Sequence, residues 1–291
     1  MTKQSIEHRW IDTNGEPLDE EDRGLVYDVG TLVNRRAALG LFGGVGLTAL
    51  LAACAPTEVL SSPTPSATAT ATPTPSASAT AAGPLTEVPD ETAGPYPGDG
   101  SNGVNVLDDS GIVRRDIRSS FGSSTTTAAG VPLEIRLSVR DAATGAALQG
   151  AAVYLWHCNS LGEYSLYSSG LENENYLRGV QEVDETGTVT FTSIFPGCYD
   201  GRWPHIHFEV YADAATAVAS GPIVKTSQIA LPQEACAAVY ATGSYERSTS
   251  NLSRTSLSSD NVFGEDGGIY QLATMSGDTS AGYVAALTIG V

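Results

Sequence analysis

The residues best suited to chemistry lie near the middle of the 291-residue chain: Tyr176, Tyr199, His205 and His207. The histidines fall in His205-Ile206-His207-Phe208-Glu209-Val210-Tyr211, an alternating stretch that predicts a β-strand. Side chains along a strand point alternately to opposite faces, so both imidazoles leave on the same side. Neutral imidazole is the commonest metal-ligating side chain, and two on one strand make half a coordination shell. The oxygen ligands that complete such a shell decide the metal and its chemistry. Tyrosines stand close by, in Asn175-Tyr176-Leu177-Arg178-Gly179 and Pro196-Gly197-Cys198-Tyr199-Asp200. Taken alone, neither tyrosine is diagnostic. Residues after 85 hold eleven of the chain's twelve tyrosines, and a single one more often fills a core or a rim.

The elements that must position these groups read as strands. Leu133, Ile135, Leu137 and Val139 alternate with Glu134, Arg136 and Ser138, and the stretch Asp141 to Gly145 supplies a turn. Val153 to His157, Thr188 to Ile194, Val224 to Leu231 and Tyr283 to Ile289 continue the pattern, with a short helix expected over Gln233 to Ala241. Many short strands separated by turns, with few short helices, predict an all-β fold, a β-sandwich over residues 86–291. Some 200 residues are enough for one domain with its own core.

What precedes the sandwich has a different composition. Asn34-Arg35-Arg36, a Gly-rich apolar run from Ala37 to Ala53 and then Cys54 resemble a twin-arginine export signal ending in a bacterial lipobox, Leu51-Ala52-Ala53-Cys54. Residues 1–54 are therefore expected to be a leader and signal, with Cys54 as the lipidation site; an ordinary secretory peptide or an uncleaved anchor is the alternative. The acidic leader before Arg35 has no physical account. Residues 55–85 are rich in Pro, Ser, Thr and Ala, with Pro-Thr-Pro-Ser-Ala at 63–67 repeated at 73–77. Such a segment cannot bury enough apolar surface to offset its ordering entropy and is expected to be a disordered tether. The expected location is outside the cytoplasm, lipid-anchored at the outer face of a bacterial cell membrane. A formal net charge of −18 is the wrong sign for a phosphate backbone or anionic lipid, so nucleic-acid binding is not expected.

Several blocks taken together resemble the intradiol ring-cleavage dioxygenases, the family of catechol and protocatechuate dioxygenases. They are Gly94-Pro95-Tyr96, Leu155-Trp156-His157, Gly162-Glu163-Tyr164, Tyr176-Leu177-Arg178, Asp184-x-x-Gly187, Phe191 to Tyr199, and Arg202-Trp203-Pro204-His205-Ile206-His207. The resemblance implies a non-haem Fe(III) site with Tyr176 and Tyr199 as phenolates and His205 and His207 as nitrogen ligands. A phenol of ordinary pKa about 10 ionises at neutral pH only beside a strong positive charge, which a bound ion provides. Two phenolates in turn favour the ferric over the ferrous ion. The implied reaction inserts O2 between the two hydroxyl-bearing carbons of a catechol-type aromatic. Tyr199 would help take up substrate protons. Arg202 would face developing negative charge, with Gln228 beside it. The bland readings are a surface ion pair for Arg202 and a strand-edge residue for Gln228. His157 is expected to pack rather than ligate. Tyr164 and Tyr167 are candidates to line the pocket, and Pro95 and Tyr96 to roof it.

Departures from the family pattern matter. No helical dimerisation region is evident, and only five residues separate Tyr199 from His205, fewer than in the better-known enzymes. That shortens one wall of the mouth and leaves the catechol and any oligomeric contacts open. With Cys54 assigned to lipid, Cys158, Cys198 and Cys236 allow three pairings. Cys198–Cys236 is the preferred candidate disulfide, against a free buried thiol at Cys198. Two other functions compete. His205, His207 and Glu209 share a strand face and mimic the 2-His-1-carboxylate set of Fe(II) oxygenases. A surface-tethered β-sandwich could also be a binding module without catalysis.

Overall fold

The computed structural model describes residues 83–291, so the expected signal, Cys54 and nearly all of the expected tether lie outside the described residues. Two four-stranded sheets face each other. One has the order β4-β1-β8-β7, formed by β1 (Pro132–Arg140), β4 (Thr188–Ile194), β7 (Thr274–Asp278) and β8 (Gly282–Gly290). The other has the order β3-β2-β5-β6, from β2 (Ala152–Trp156), β3 (Arg178–Glu182), β5 (His205–Tyr211) and β6 (Ile223–Ala230). Short helices follow: α1 (Ala214–Val218), α2 (Gln233–Tyr240) and α3 (Ser248–Leu252). The all-β sandwich expected from the sequence is what the chain forms.

The first sheet behaves as its alternation requires. Leu133, Ile135, Leu137 and Val139 of β1 are buried, with Val189, Phe191, Ala285 and Ile289 beside them. Their outward neighbours Glu134 and Arg136 pair with one another at the surface. From the second sheet, Val153, Leu155, Ile206, Phe208, Val210 and Ile229 close the same core. Each fully buried Val, Leu, Ile or Phe contributes about 1.5–3 kcal/mol, which holds the sheets face to face.

The second sheet does not alternate. All five residues of β2 and all seven of β5 are buried. Its outer face is covered too, by a second apolar cluster in which Tyr154, Trp156 and Tyr211 meet Val106, Leu107, Ile112 and Tyr164 from the loops. The chain joins this layer early. Leu85 N donates to Ala142 O, and Val88 N to Gly290 O at the end of β8. Glu91 N then donates to Thr226 O of β6, and buried Lys225 holds Glu87 (2.6 Å) and Asp90 (3.0 Å). The segment thus crosses from one sheet to the other before the Gly94-Pro95 loop.

The sequence reading missed two strands. Strand β3 begins with Arg178-Gly179 and β7 reads Thr-Met-Ser-Gly-Asp, both without the apolar alternation that signals a strand. Strand β2 stops at Trp156, one residue before the expected His157. The expected Cys198–Cys236 bridge is not formed. Both are separate buried thiols, with Cys198 Sγ donating to Arg202 O (3.5 Å) and Cys236 Sγ to Leu231 O (3.8 Å). Burial pushes the Cys198 thiol up to about 12, where it is inert.

Candidate metal centre

Strand β5 sits between β2 and β6, and its outward face carries His205, His207 and Glu209. His205 Nε2 lies 3.1 Å from His207 Nε2 and 3.1 Å from the Tyr199 hydroxyl. Three heads therefore converge from two elements, the strand and the Pro196–Arg202 loop before it. His205 Nδ1 is 2.6 Å from Trp203 O. A carbonyl can only accept, so Nδ1 carries the proton and Nε2 presents a lone pair. Burial, then the nearby Arg202 charge, holds the His205 pKa well below the usual value. Burial, then His205 and Arg202, does the same for His207. Both rings are neutral at neutral pH, as ligation requires.

His207 is aimed by packing. Its ring stacks on Trp156 at 4.9 Å and 7°, and its Nδ1 has no hydrogen-bond partner among the described residues. Gly94, at φ +71°, closes the other side: a Cβ there would stand 3.3 Å from His207 Cε1. Gly162, at φ +86°, does the same under Tyr199, where a Cβ would come within 3.0 Å of the tyrosine's own Cβ. These two glycines explain why Gly94-Pro95-Tyr96 and Gly162-Glu163-Tyr164 matter at all. They let the backbone touch the functional rings.

Tyr176 is buried in a small cluster with Leu177, Ile194 and Ala128. Its hydroxyl accepts from Asn159 Nδ2 at 3.4 Å, and burial raises its pKa. Leu177, next in the chain, has φ +58°, a conformation that costs a bulky residue about 1–3 kcal/mol and recurs at functional sites. Here it turns the chain between Tyr176 and Arg178.

Arg202 is not a surface residue. Its Nε donates to Asp260 Oδ2 (3.0 Å) and its terminal nitrogen to Gln228 Oε1 (2.7 Å), while Gln228 Nε2 donates to Thr92 O (3.0 Å). Burial works against the charge, but Tyr199 and Asp260 outweigh it and raise the guanidinium's pKa. Gln228 pairs with His207 across the β5–β6 ladder and is fully buried, so neither residue fits its bland reading. His157 does pack: it reaches Ser193 Oγ and Cys158 O, and burial lowers its pKa to about 4.

Sequence reasoning missed two residues here. Asp260 accepts from the backbone N–H groups of Trp203, Val262 and Phe263 as well as from Arg202, which fixes the guanidinium from behind. Its signal was indirect: a buried arginine needs a buried carboxylate. Arg178, itself fully buried, donates to the carbonyls of Tyr96, Pro97 and Ser165 and to the Tyr154 hydroxyl. It ties the Gly-Pro loop to the loop carrying Tyr164 and Tyr167. Outside Tyr199 opens a cavity of about 940 Å³, with Pro95, Tyr96 and Tyr167 on one wall and Asn251 and Arg254 on another.

A donor set of this kind accepts a metal. Two nitrogens bound at about 2.1 Å on adjacent positions of one ion stand about 3 Å apart, which matches the spacing of the two Nε2 atoms. The buried phenol beside them supplies the hard oxygen donor. The 2-His-1-carboxylate alternative is not supported, because no group of three His, Cys, Asp or Glu is placed to hold an ion among the described residues. The Oε2 of Glu209 instead accepts from the Tyr211 hydroxyl at 2.7 Å.

A sandwich with imidazoles on its inner strand and a phenol leaning over them thus gathers buried nitrogen and oxygen donors that could hold a metal. Known proteins share parts of this arrangement. Residues 118–222, which include Tyr176, Tyr199, Arg202, His205 and His207, match the family model described as Dioxygenase. A chlorocatechol 1,2-dioxygenase of Rhodococcus opacus is 32% identical over 95 residues, 26% of this chain and 37% of that protein. The chain thus spans little more than a third of that curated relative. In fold it is similar to an intradiol ring-cleavage dioxygenase of Tetranychus urticae, at 24% identity over 71% of this chain and 94% of that one, with a TM-score of 0.56. A further dioxygenase crystal structure gives the same identity and coverage with a TM-score of 0.57. Over residues 118–222 the chain is therefore similar to the dioxygenase family, and over 71% of its length its fold is that of the two solved dioxygenases.

Proposed function

We propose that the protein is a non-haem Fe(III) dioxygenase that opens the ring of a catechol-type aromatic between its two hydroxyl-bearing carbons, using O2. The observation that carries this reading is the convergence of Tyr199, His205 and His207 heads at 3.1 Å spacings. Tyr176, whose hydroxyl accepts from Asn159 Nδ2 at 3.4 Å, would be the fourth ligand. Bound ferric iron would act as a Lewis acid towards a catechol and make the ring electron-rich enough to meet O2.

The chain's own residues do the rest. Tyr199 would be the general base: ionised, its oxygen takes a catechol hydroxyl proton. Arg202 presents a cation fixed by Asp260 and Gln228, so stabilising negative charge on the ring needs no reorganisation. Trp156, Tyr164 and Tyr96 wall the site with rings that exclude water, which strengthens every charge interaction inside it. The reading includes anchorage outside the cytoplasm through Cys54, supported by the Leu51-Ala52-Ala53-Cys54 sequence and the Pro/Ser/Thr tether behind it.

Iron-replete protein should be coloured by phenolate-to-Fe(III) charge transfer and should consume O2 with catechols. Tyr199→Phe should shift that band while leaving thermal unfolding within a few degrees. A colourless iron-replete protein that consumes no O2 with any catechol would leave the binding module as the better reading.

A further inference from the structure

The cavity outside Tyr199 is far larger than the proposed chemistry needs. At about 940 Å³ it lies at the upper end of the range that encloses drug-sized ligands, and one catechol ring would fill a small fraction of it. On the wall that carries Tyr199, Asn251 of α3 pins the loop by donating to Cys198 O at 2.7 Å. On the opposite wall Tyr96 lies 5.0 Å from both Tyr164 and Tyr167, an aromatic shelf beside the site. The Tyr167 hydroxyl is fixed between Gly98 N and Asn102 Oδ1, so the shelf is rigid.

Charge narrows what can lie there. The lining carries the carboxylates Glu163, Glu172 and Asp200 and the guanidiniums Arg247 and Arg254. Arg254 is consumed by Asp200 at 2.5 Å and by Asn251 Oδ1 at 2.6 Å. That leaves two carboxylates against Arg247, inside a chain of net charge −18. An anionic arm would meet an unfavourable field. A neutral arm rich in hydroxyls would find acceptors in the carboxylates, donors in Arg247, and a flat ring to stack on.

We propose that the mouth is a subsite for a neutral, polyhydroxylated arm, so that the enzyme's substrates are catechols carrying a sugar-like or second phenolic ring rather than catechol itself. This rests on the reading of the site as a catechol dioxygenase. Tyr96 and Tyr167 supply the stacking surface, and the exposed Ser169 marks the outer edge that the arm crosses.

The test compares kcat/KM, by O2 uptake on the iron-loaded protein, for catechol, caffeoylglucose and chlorogenate. The last two carry hydroxylated six-membered arms of similar size, and only chlorogenate bears a carboxylate. Caffeoylglucose should exceed catechol at least tenfold and chlorogenate at least threefold. In Ser169→Trp, which fills the outer edge, the caffeoylglucose-to-catechol ratio should drop at least fivefold, with thermal unfolding confirming the fold. Catechol turned over faster than caffeoylglucose, or a ratio unmoved by Ser169→Trp, would overturn the subsite and leave the dioxygenase reading standing. A tenfold preference for chlorogenate would overturn its neutrality. No turnover of any of the three would instead reject the dioxygenase reading beneath it.

Discussion

The two sheets of the sandwich share a core but solve different problems. The β4-β1-β8-β7 sheet buries one face and leaves the other to water, so it carries Glu134, Arg136 and Ser138 outward and needs no further cover. The β3-β2-β5-β6 sheet buries both faces, and the added cover is where chemistry sits. Its outward row of Trp156, His205, His207 and Gln228 would be an ordinary solvent face if the 93–121 and 158–167 loops did not close over it. Burial strips the histidines of charge and forces Arg202 to find Asp260. The same fold thus yields a stabilising sheet and one that the proposed function makes reactive, and what separates them is the second layer.

That contrast can be broken from either side. His207→Ala on the reactive sheet removes what the proposed reading makes a metal donor but leaves the inner core intact. Catalysis should fall by at least about a thousandfold, in line with the loss of a group that assembles the site, and iron content should fall with it. Unfolding in urea should move little, because Ile206 and Phe208 still fill the core. Phe191→Ala on the stabilising sheet should do the reverse. It opens a cavity in the core at a cost of about 3–5 kcal/mol, read from the urea midpoint. The folded fraction should keep its iron and its turnover. If His207→Ala proves the more destabilising of the two, the division of labour between the sheets is wrong.

The same contrast decides what was legible in the sequence. The stabilising sheet announced itself through the alternation of β1 and the turn residues around it. Strand β5 was legible for a different reason: His-x-His on a period of two puts both rings on one face whatever lies above it. The covering layer was not legible. Arg178 read as the end of a motif, yet it is the buried tie between two loops. Asp260 sits 58 residues after Arg202, so only the fold brings them together. Strand β7 is polar and lies at a sheet edge, where pairing rather than burial defines it. The disulfide failed because redox context argues for pairing but says nothing about where each thiol is aimed.

Within the reactive sheet, Arg202→Lys sharpens the role of the second layer. Lysine keeps the charge but cannot hold Asp260 and Gln228 at once through a rigid fork. The expected loss is about a hundredfold in kcat with KM changed less, since a misplaced cation costs most where charge develops. An equal loss in KM would make Arg202 a substrate-binding group instead.

The smallest effect concerns Glu91, which lies where the N-terminal segment meets β6. Burial pushes its carboxyl up to about 7, against the lowering influence of the Gln271 hydrogen bond and the Arg202 charge. In the unfolded chain the same group ionises near 4.5. Between these values the folded protein holds a proton that the unfolded chain has released, so the neutral form's contribution to stability is complete below the lower value and is lost as pH rises through about 7. Glu91→Gln keeps a neutral hydrogen-bonding group at every pH. The wild-type urea midpoint should therefore fall relative to that of Glu91→Gln from pH 5 to pH 8, with both proteins held in the same iron state. Parallel midpoints across that range would mean that the carboxylate reaches water, and that the second layer is open at this edge of the reactive sheet.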